Sequence, residues 1–378
     1  MRYLPAMHSS KSGPRTAIIH YWLVGMRGGE RVLEHICRLH PNADIFTHVV
    51  DREALSPYLR ERTIKTSFIS RLPAARRHYQ KYLPLMPLAL EALDLGSYDL
   101  VISAEAGPAK GVIVRPDATH VTYCHSPMRY IWDQYHLYKR NAGLASRLAM
   151  PMLAPGLRLW DTASACRTDR IMANSRFVQG RVAKFWGRLS TVVYPPVDVS
   201  LFRPTDAIQD HFLWVGQLTA YKRPDIAIDA FNRSGLPLLV IGDGEMRAEL
   251  AARAKPNIRM ITRASFDELR AAYASARALV FTAEEDFGLV PIEMMASGRP
   301  VIAYGRGGAL ETVVEGETGL FFHDQTPEAL IGAIEAFEAW ISHFDPSASI
   351  RRAASFNPEA FAAGFQRVVD AARSEGRA

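Results

Sequence analysis

Cysteine is scarce in this chain of 378 residues. Cys37, Cys124 and Cys166 are widely spaced, odd in number and form no Cys-x-x-Cys pair. A disulfide scaffold and a structural zinc site are therefore not expected, and a reducing compartment fits best. No uninterrupted run of about 18 apolar residues occurs, so no segment reads as a membrane-spanning helix. The stretch up to Arg15 is polar and lacks the apolar core of a secretory signal, which gives a cytoplasmic expectation. Asp-x-Asp is absent throughout, so no metal site is expected. No Gly-x-Gly-x-x-Gly follows the first strand-like run, which argues against a dinucleotide dehydrogenase. Neither an RRM nor a KH signature is present, so nucleic acid is not expected as a partner. Short-period repeats and low-complexity tracts are also missing.

What is there is ordinary globular chemistry, 48% apolar and 22% charged. At roughly 150 residues per domain the length suggests two domains. The net charge of +6 conceals an asymmetry. Residues 1–199 carry 27 Lys+Arg against 15 Asp+Glu, and the remainder carries 18 against 24. One half is basic and the other acidic, which supports two domains with different partners.

Strand-like runs alternate with helical ones. Thr16–Trp22 reads as a strand and leads through Gly28-Gly29-Glu30 into a helix with Val32, Leu33, Ile36 and Leu39 on one face. Further strands read at 45–50, 99–103 and 120–123. Residues 187–205, with Pro195-Pro196, look like a boundary. Alternation then restarts, with strands at 212–215, 238–241, 258–261, 278–281 and 301–304, and a last amphipathic helix over 358–373. The expectation is an α/β chain of two doubly wound Rossmann-like domains, 1–195 and 196–356. Two segments, 52–81 and 139–188, concentrate basic residues, the second mixed with Trp160, Phe185 and Trp186. Basic charge among aromatics and leucines suits an anionic membrane surface.

The chemistry gathers in four places. In Glu285-Asp-Phe287-Gly288-Leu289-Val-Pro-Ile-Glu293 a strand should end, a loop carry Glu285, and a helix begin near Val290. A helix start presents free N–H groups and a positive dipole end, and so can hold a phosphate. Carboxylates beside such donors suit sugar hydroxyls rather than the phosphate. Gly216-Gln217 with Lys222-Arg223-Pro224 is a second anion signal at a strand end. Gly28-Gly29 is a third. The fourth is His125-Ser126-Pro127, followed by Tyr130, Trp132 and Asp133. Asp133 is a candidate acceptor-side base, and Tyr130 and Trp132 either stack a sugar or pack in the core.

These motifs, with Ala173-Asn174-Ser175, Tyr194-Pro195-Pro196-Val197-Asp198 and Gly307-Gly308-Ala-Leu-Glu311, closely resemble the retaining GT-B glycosyltransferases. The group meant is that of glycogen and sucrose synthases and bacterial O-antigen and exopolysaccharide mannosyltransferases. The resemblance covers nearly the whole chain and implies two domains facing across a cleft. The first would bind the acceptor, the second the nucleotide-sugar donor, and the helix over 357–378 would cross back to the first. By resemblance Lys222 holds the donor diphosphate and stabilises the leaving phosphate. Glu285 contacts the donor sugar, with the backbone of Phe287, Gly288 and Leu289 near sugar and phosphate. Glu293 binds the ribose, and His125 sits beside the donor sugar. Gly28 and Gly29 let the first helix start approach the diphosphate or acceptor. Gly216, Gln217 and Arg223 complete the donor set. Gln217 departs from the family, which usually carries Arg there, and Arg223 or Arg306 is the candidate replacement.

The function this implies is metal-independent hexosyl transfer with retention, without a cofactor. GDP-mannose is the first expectation for the donor, with UDP-glucose and dTDP-rhamnose open. The acceptor is a polyprenyl-diphosphate-linked glycan or polysaccharide precursor, met at the inner face of the plasma membrane. The alternatives are a nucleotide-sugar epimerase or phosphorylase and a catalytically silent GT-B subunit.

Overall fold

A computed structural model of the chain describes residues 14–105 and 107–375. The polar opening stretch lies outside the described residues apart from Pro14 and Arg15, as do the last three residues of the expected C-terminal helix. The described residues divide into two compact units. One takes the chain up to Met172, Arg181–Thr191 and the chain from Gln366. The other takes Ala173–Gly180 and Val192–Phe365.

The first unit is built on a seven-stranded sheet. Its strands are β1 (Thr16–His20), β2 (Asp44–Thr47), β3 (Ile64–Thr66), β4 (Leu100–Glu105), β5 (Thr119–Cys124), β6 (Arg170–Ala173) and β7 (Thr191–Val192), in the order β3-β2-β1-β4-β5-β6-β7. The pairs from β3 through to β5 run parallel. The second unit holds β8 (Phe212–Val215), β9 (Leu238–Ile241), β10 (Ile258–Ile261), β11 (Leu279–Phe281), β12 (Val301–Tyr304) and β13 (Gly319–Phe322). These form an all-parallel sheet in the order β10-β9-β8-β11-β12-β13. Both orders reverse direction beside the first strand of the unit, between β1 and β4 and between β8 and β11. That reversal is where doubly wound sheets take their ligands.

Strand alternation explains the continuous apolar runs. In β8, Phe212 and Trp214 enter one core layer with Val240, Val280 and Ile302. Leu213 enters the opposite layer with Leu279, Phe281, Val301 and Ala303. Both faces of this strand are covered, so its apolar run is unbroken.

In the first unit the helix Leu144–Ala165 contains two internal prolines, Pro151 and Pro155. Its inward face carries Asp161, fully buried and paired with the equally buried Lys110. The second carboxylate oxygen of Asp161 accepts from the indole N–H groups of Trp132 and Trp186, each at 2.7 Å. The Lys110 ammonium also lies 4.1 Å from the Trp186 ring centre. Trp132 is thus a structural residue, stacked on Phe185 at 4.9 Å, and not a free platform for a sugar. A buried ion pair is tolerable when its remaining hydrogen-bonding capacity is filled in this way.

Candidate active site

In the second unit the candidate donor residues meet at the carboxyl ends of β8 and β11, on either side of the reversal. After β8 the chain passes through Gly216 and exposed Gln217, makes one 3₁₀ turn over Ala220–Lys222, and starts the helix Pro224–Ser234. Thr282, just past β11, fixes that turn: its hydroxyl donates to the Lys222 carbonyl at 2.8 Å and accepts from the Trp214 indole at 3.0 Å. The Lys222 ammonium is thereby delivered to Glu285, 2.7 Å from Oε1, with both side chains mostly buried.

The loop bearing Glu285 is held from behind. Gly308 N–H donates to the Glu285 carbonyl at 2.9 Å. A Cβ on Gly307 would collide with that carbonyl, and one on Gly308 with the Phe287 backbone, so only glycine permits the approach. Phe287 is buried and stacks on Tyr194 at 5.5 Å. Gly288, at φ +85°, turns the chain into the helix Leu289–Ala296, whose start carries no side-chain cap. Glu293 lies on this helix, nearly buried, and accepts a 2.7 Å hydrogen bond from the Tyr273 hydroxyl. Arg223 is placed differently. It adopts φ +53°, and its guanidinium grips Asp225 at 2.9–3.2 Å. As placed it is oriented by its own helix rather than held for a phosphate. Arg306 is exposed.

In the first unit the corresponding edge carries His125, directly after β5. Its Nε2 is buried and makes no hydrogen bond among the described residues, and burial pushes its pKa down to about 4. Gly28 and Gly29 open the helix Gly28–Leu39; a Cβ on Gly29 would stand 3.3 Å from the Tyr21 hydroxyl and 3.9 Å from His125 Nε2. Glu30 accepts from the Arg27 N–H at 3.0 Å and closes this helix start. Asp133 does not stand free as a base. It pairs with Arg181 at 2.6 Å, and Arg181 donates at 2.8 Å to the Ser126 hydroxyl beside His125.

Residues 26–201 match the family Glycosyltransferase Family 4, and residues 205–340 match Glycosyl transferases group 1. Together these two glycosyltransferase models match most of the chain. Its two Rossmann-like units are those of the GT-B fold. The crystal structure of HepE from Anabaena in complex with UDP superposes with a TM-score of 0.70 at 16% identity, covering 94% of this chain and all of that one. An alpha-1,3/1,6-mannosyltransferase of Neurospora crassa is 28% identical over 254 residues, 52% of each chain. A D-inositol 3-phosphate glycosyltransferase of Frankia alni is 27% identical over 250 residues, 56% of this chain and 61% of that one. The chain thus spans about half of the first relative and three-fifths of the second.

Several residues that hold the candidate side chains in each unit escaped the sequence reading. Thr282, Tyr273 and Arg181 each bond a partner distant in sequence, and no local pattern marks them. Gly307-Gly308 was visible as a tandem glycine after a strand, which is a signal of close backbone approach.

Proposed function

We propose that the protein transfers a hexose from a nucleoside diphosphate sugar to a glycan acceptor with retention of configuration. GDP-mannose is the leading donor and a lipid-linked or polysaccharide-precursor acceptor the leading recipient. The observation that carries this reading is the Lys222–Glu285 pair at the sheet reversal, beside an uncapped helix start. Lys222 and the N–H groups of that helix start supply positive potential where charge builds on the leaving diphosphate. Glu285 is the acceptor for sugar hydroxyls, and Glu293, held by Tyr273, is the acceptor for the ribose. The bond from C1 to the diphosphate breaks, the acceptor oxygen bonds C1 on the same face, and the acceptor proton goes to the departing phosphate. No protein nucleophile and no metal are required. The Neurospora relative, named a mannosyltransferase, supports the mannosyl reading.

The test is incubation with radiolabelled GDP-mannose, UDP-glucose and dTDP-rhamnose, with and without EDTA, followed by slow donor hydrolysis and then by transfer. Acceptor arms are a polyprenyl-diphosphate glycan and, from the Frankia relative's name, inositol 3-phosphate. Hydrolysis of GDP-mannose indifferent to EDTA is expected. Activity lost in EDTA and restored by manganese would overturn the leaving-group account, and no hydrolysis of any donor would favour a silent subunit.

A further inference from the structure

The helix Leu144–Ala165 turns four large apolar side chains outward. Leu144, Leu148, Met152 and Leu159 are 75%, 66%, 83% and 74% exposed. At positions i, i+4, i+8 and i+15 they fall within an arc of roughly 80° on the helix surface. A leucine-rich helix left to itself would roll these residues into the core. The opposite face prevents it: Asp161 is locked inside by Lys110, Trp132 and Trp186. Rotating the helix would drag a carboxylate out of its only satisfied position and leave Lys110 buried without a counter-charge. The buried ion pair therefore sets which face meets the surroundings.

That face is charged in one sense only. From Gln134 to Trp160 the sequence holds Lys139, Arg140, Arg147 and Arg158 and no acidic residue. Arg140 and Arg147 are exposed. Arg158 instead bonds the Ile131 carbonyl. No helix of the described residues is long and apolar enough to cross a membrane. An exposed apolar stripe with flanking cations is the composition of a helix that lies in a lipid–water interface. A second copy of the chain fits less well. A two-fold contact brings the same patch against itself, and here cations would meet cations with no acid in the segment to neutralise them.

We propose that the outer face of the helix Leu144–Ala165 is a docking surface for an anionic lipid bilayer, its leucines and Met152 entering the headgroup boundary while Arg140 and Arg147 contact the lipid charge. The basic segment 52–81 is less available. Arg52, Arg60 and Arg62 bond backbone carbonyls and Lys65 pairs with Asp44. Arg76, Arg77 and Lys81 remain exposed there and serve as the comparison.

The test is co-sedimentation of the full chain with vesicles of phosphatidylcholine alone and of phosphatidylcholine mixed with phosphatidylglycerol. The chain should bind the anionic vesicles at least about tenfold more tightly, since each surface cation contributes about a fivefold factor. Leu148→Ser with Met152→Ser should weaken binding at least about tenfold even where salt has screened the charges. Arg140→Glu with Arg147→Glu should weaken it at low salt by about 25-fold or more. Arg76→Glu with Arg77→Glu and Lys81→Glu should bind nearly as the parent does. All these residues are exposed, so folding, followed by circular dichroism, is unaffected. The proposal fails if the parent ignores both vesicle types, if it binds both equally, or if the Leu148–Met152 variant binds like the parent. A parent dimer that this variant converts to a monomer, without vesicle binding, would assign the stripe to a second copy instead. None of these readouts depends on sugar transfer.

Discussion

The ammonium of Lys222 lies 2.7 Å from a carboxylate oxygen of Glu285. The proposed reaction assigns the first to the donor diphosphate and the second to the donor sugar, yet here they neutralise each other. A diphosphate must then compete with Glu285 for the lysine. This leads to opposite effects on binding and on turnover from one substitution.

Glu285→Gln should free Lys222 and tighten nucleoside diphosphate binding by about tenfold, as expected for releasing one charge-assisted contact. The same change should slow sugar transfer roughly thirty- to a thousandfold, because the charge-assisted hydrogen bonds to the sugar are lost. Calorimetry with GDP and UDP reads the first effect and donor turnover the second. Near-normal turnover would remove Glu285 from the site.

Gln217→Arg should add a second cation at the carboxyl end of β8. Arg223 is occupied by Asp225, so it does not already fill that place. Affinity for GDP or UDP should rise by about tenfold or more. Unchanged affinity in calorimetry would point to Arg306 as the resident partner.

Asp161→Asn should destabilise the first unit by about 3–5 kcal/mol, since it leaves the Lys110 charge buried and uncompensated. Urea unfolding measures this, and a loss below about 1 kcal/mol would show that the pair is hydrated rather than sealed.

Acid should weaken the first unit before it weakens the second. Burial holds His20 neutral down to about 3 and His48, His120 and His125 down to about 4. Like charges reinforce this, His125 acting on His20, and Arg167 and Lys110 on His120. In the unfolded chain these imidazoles titrate near 6.5. Between those values the unfolded state binds more protons, so stability is complete above pH 6.5 and declines as pH falls through the window. At about pH 5 each contributes a loss of about 2 kcal/mol. Urea midpoints at neutral pH and at about pH 5 should differ accordingly, and His120→Gln should flatten the dependence.

Much of the fold was legible because parallel strands buried on both faces leave unbroken apolar runs. The readings at 212–215, 238–241, 258–261 and 301–304 coincide with β8, β9, β10 and β12. Of the strands that went unread, β3 and β7 are only three and two residues long, β6 opens on Arg170, and β13 opens on Gly319, a poor strand former. The helix Leu144–Ala165 was obscured by Pro151 and Pro155, which signal an interruption that the structure does not make. Within the site, the Glu285–Glu293 spacing located loop and helix. It could not reveal that Glu293 meets Tyr273, or that Asp133 is claimed by Arg181. Those pairings depend on side chains brought together across 20 to 48 positions, where no periodicity operates.

Glu311 adds a contrast between two helix starts of the second unit. Its carboxylate accepts the Arg176 and Phe177 N–H groups at 2.8 and 2.9 Å and the Tyr194 hydroxyl at 3.1 Å, and so closes the start of the helix Arg176–Trp186. The chain's own carboxylate sits where a phosphate oxygen would otherwise be welcome. The protein thus keeps a carboxylate of its own on one helix start, while the start at Leu289 has no such side chain. Glu311→Ala would then do more than loosen a helix. It would bare the Arg176 and Phe177 N–H donors at that helix start.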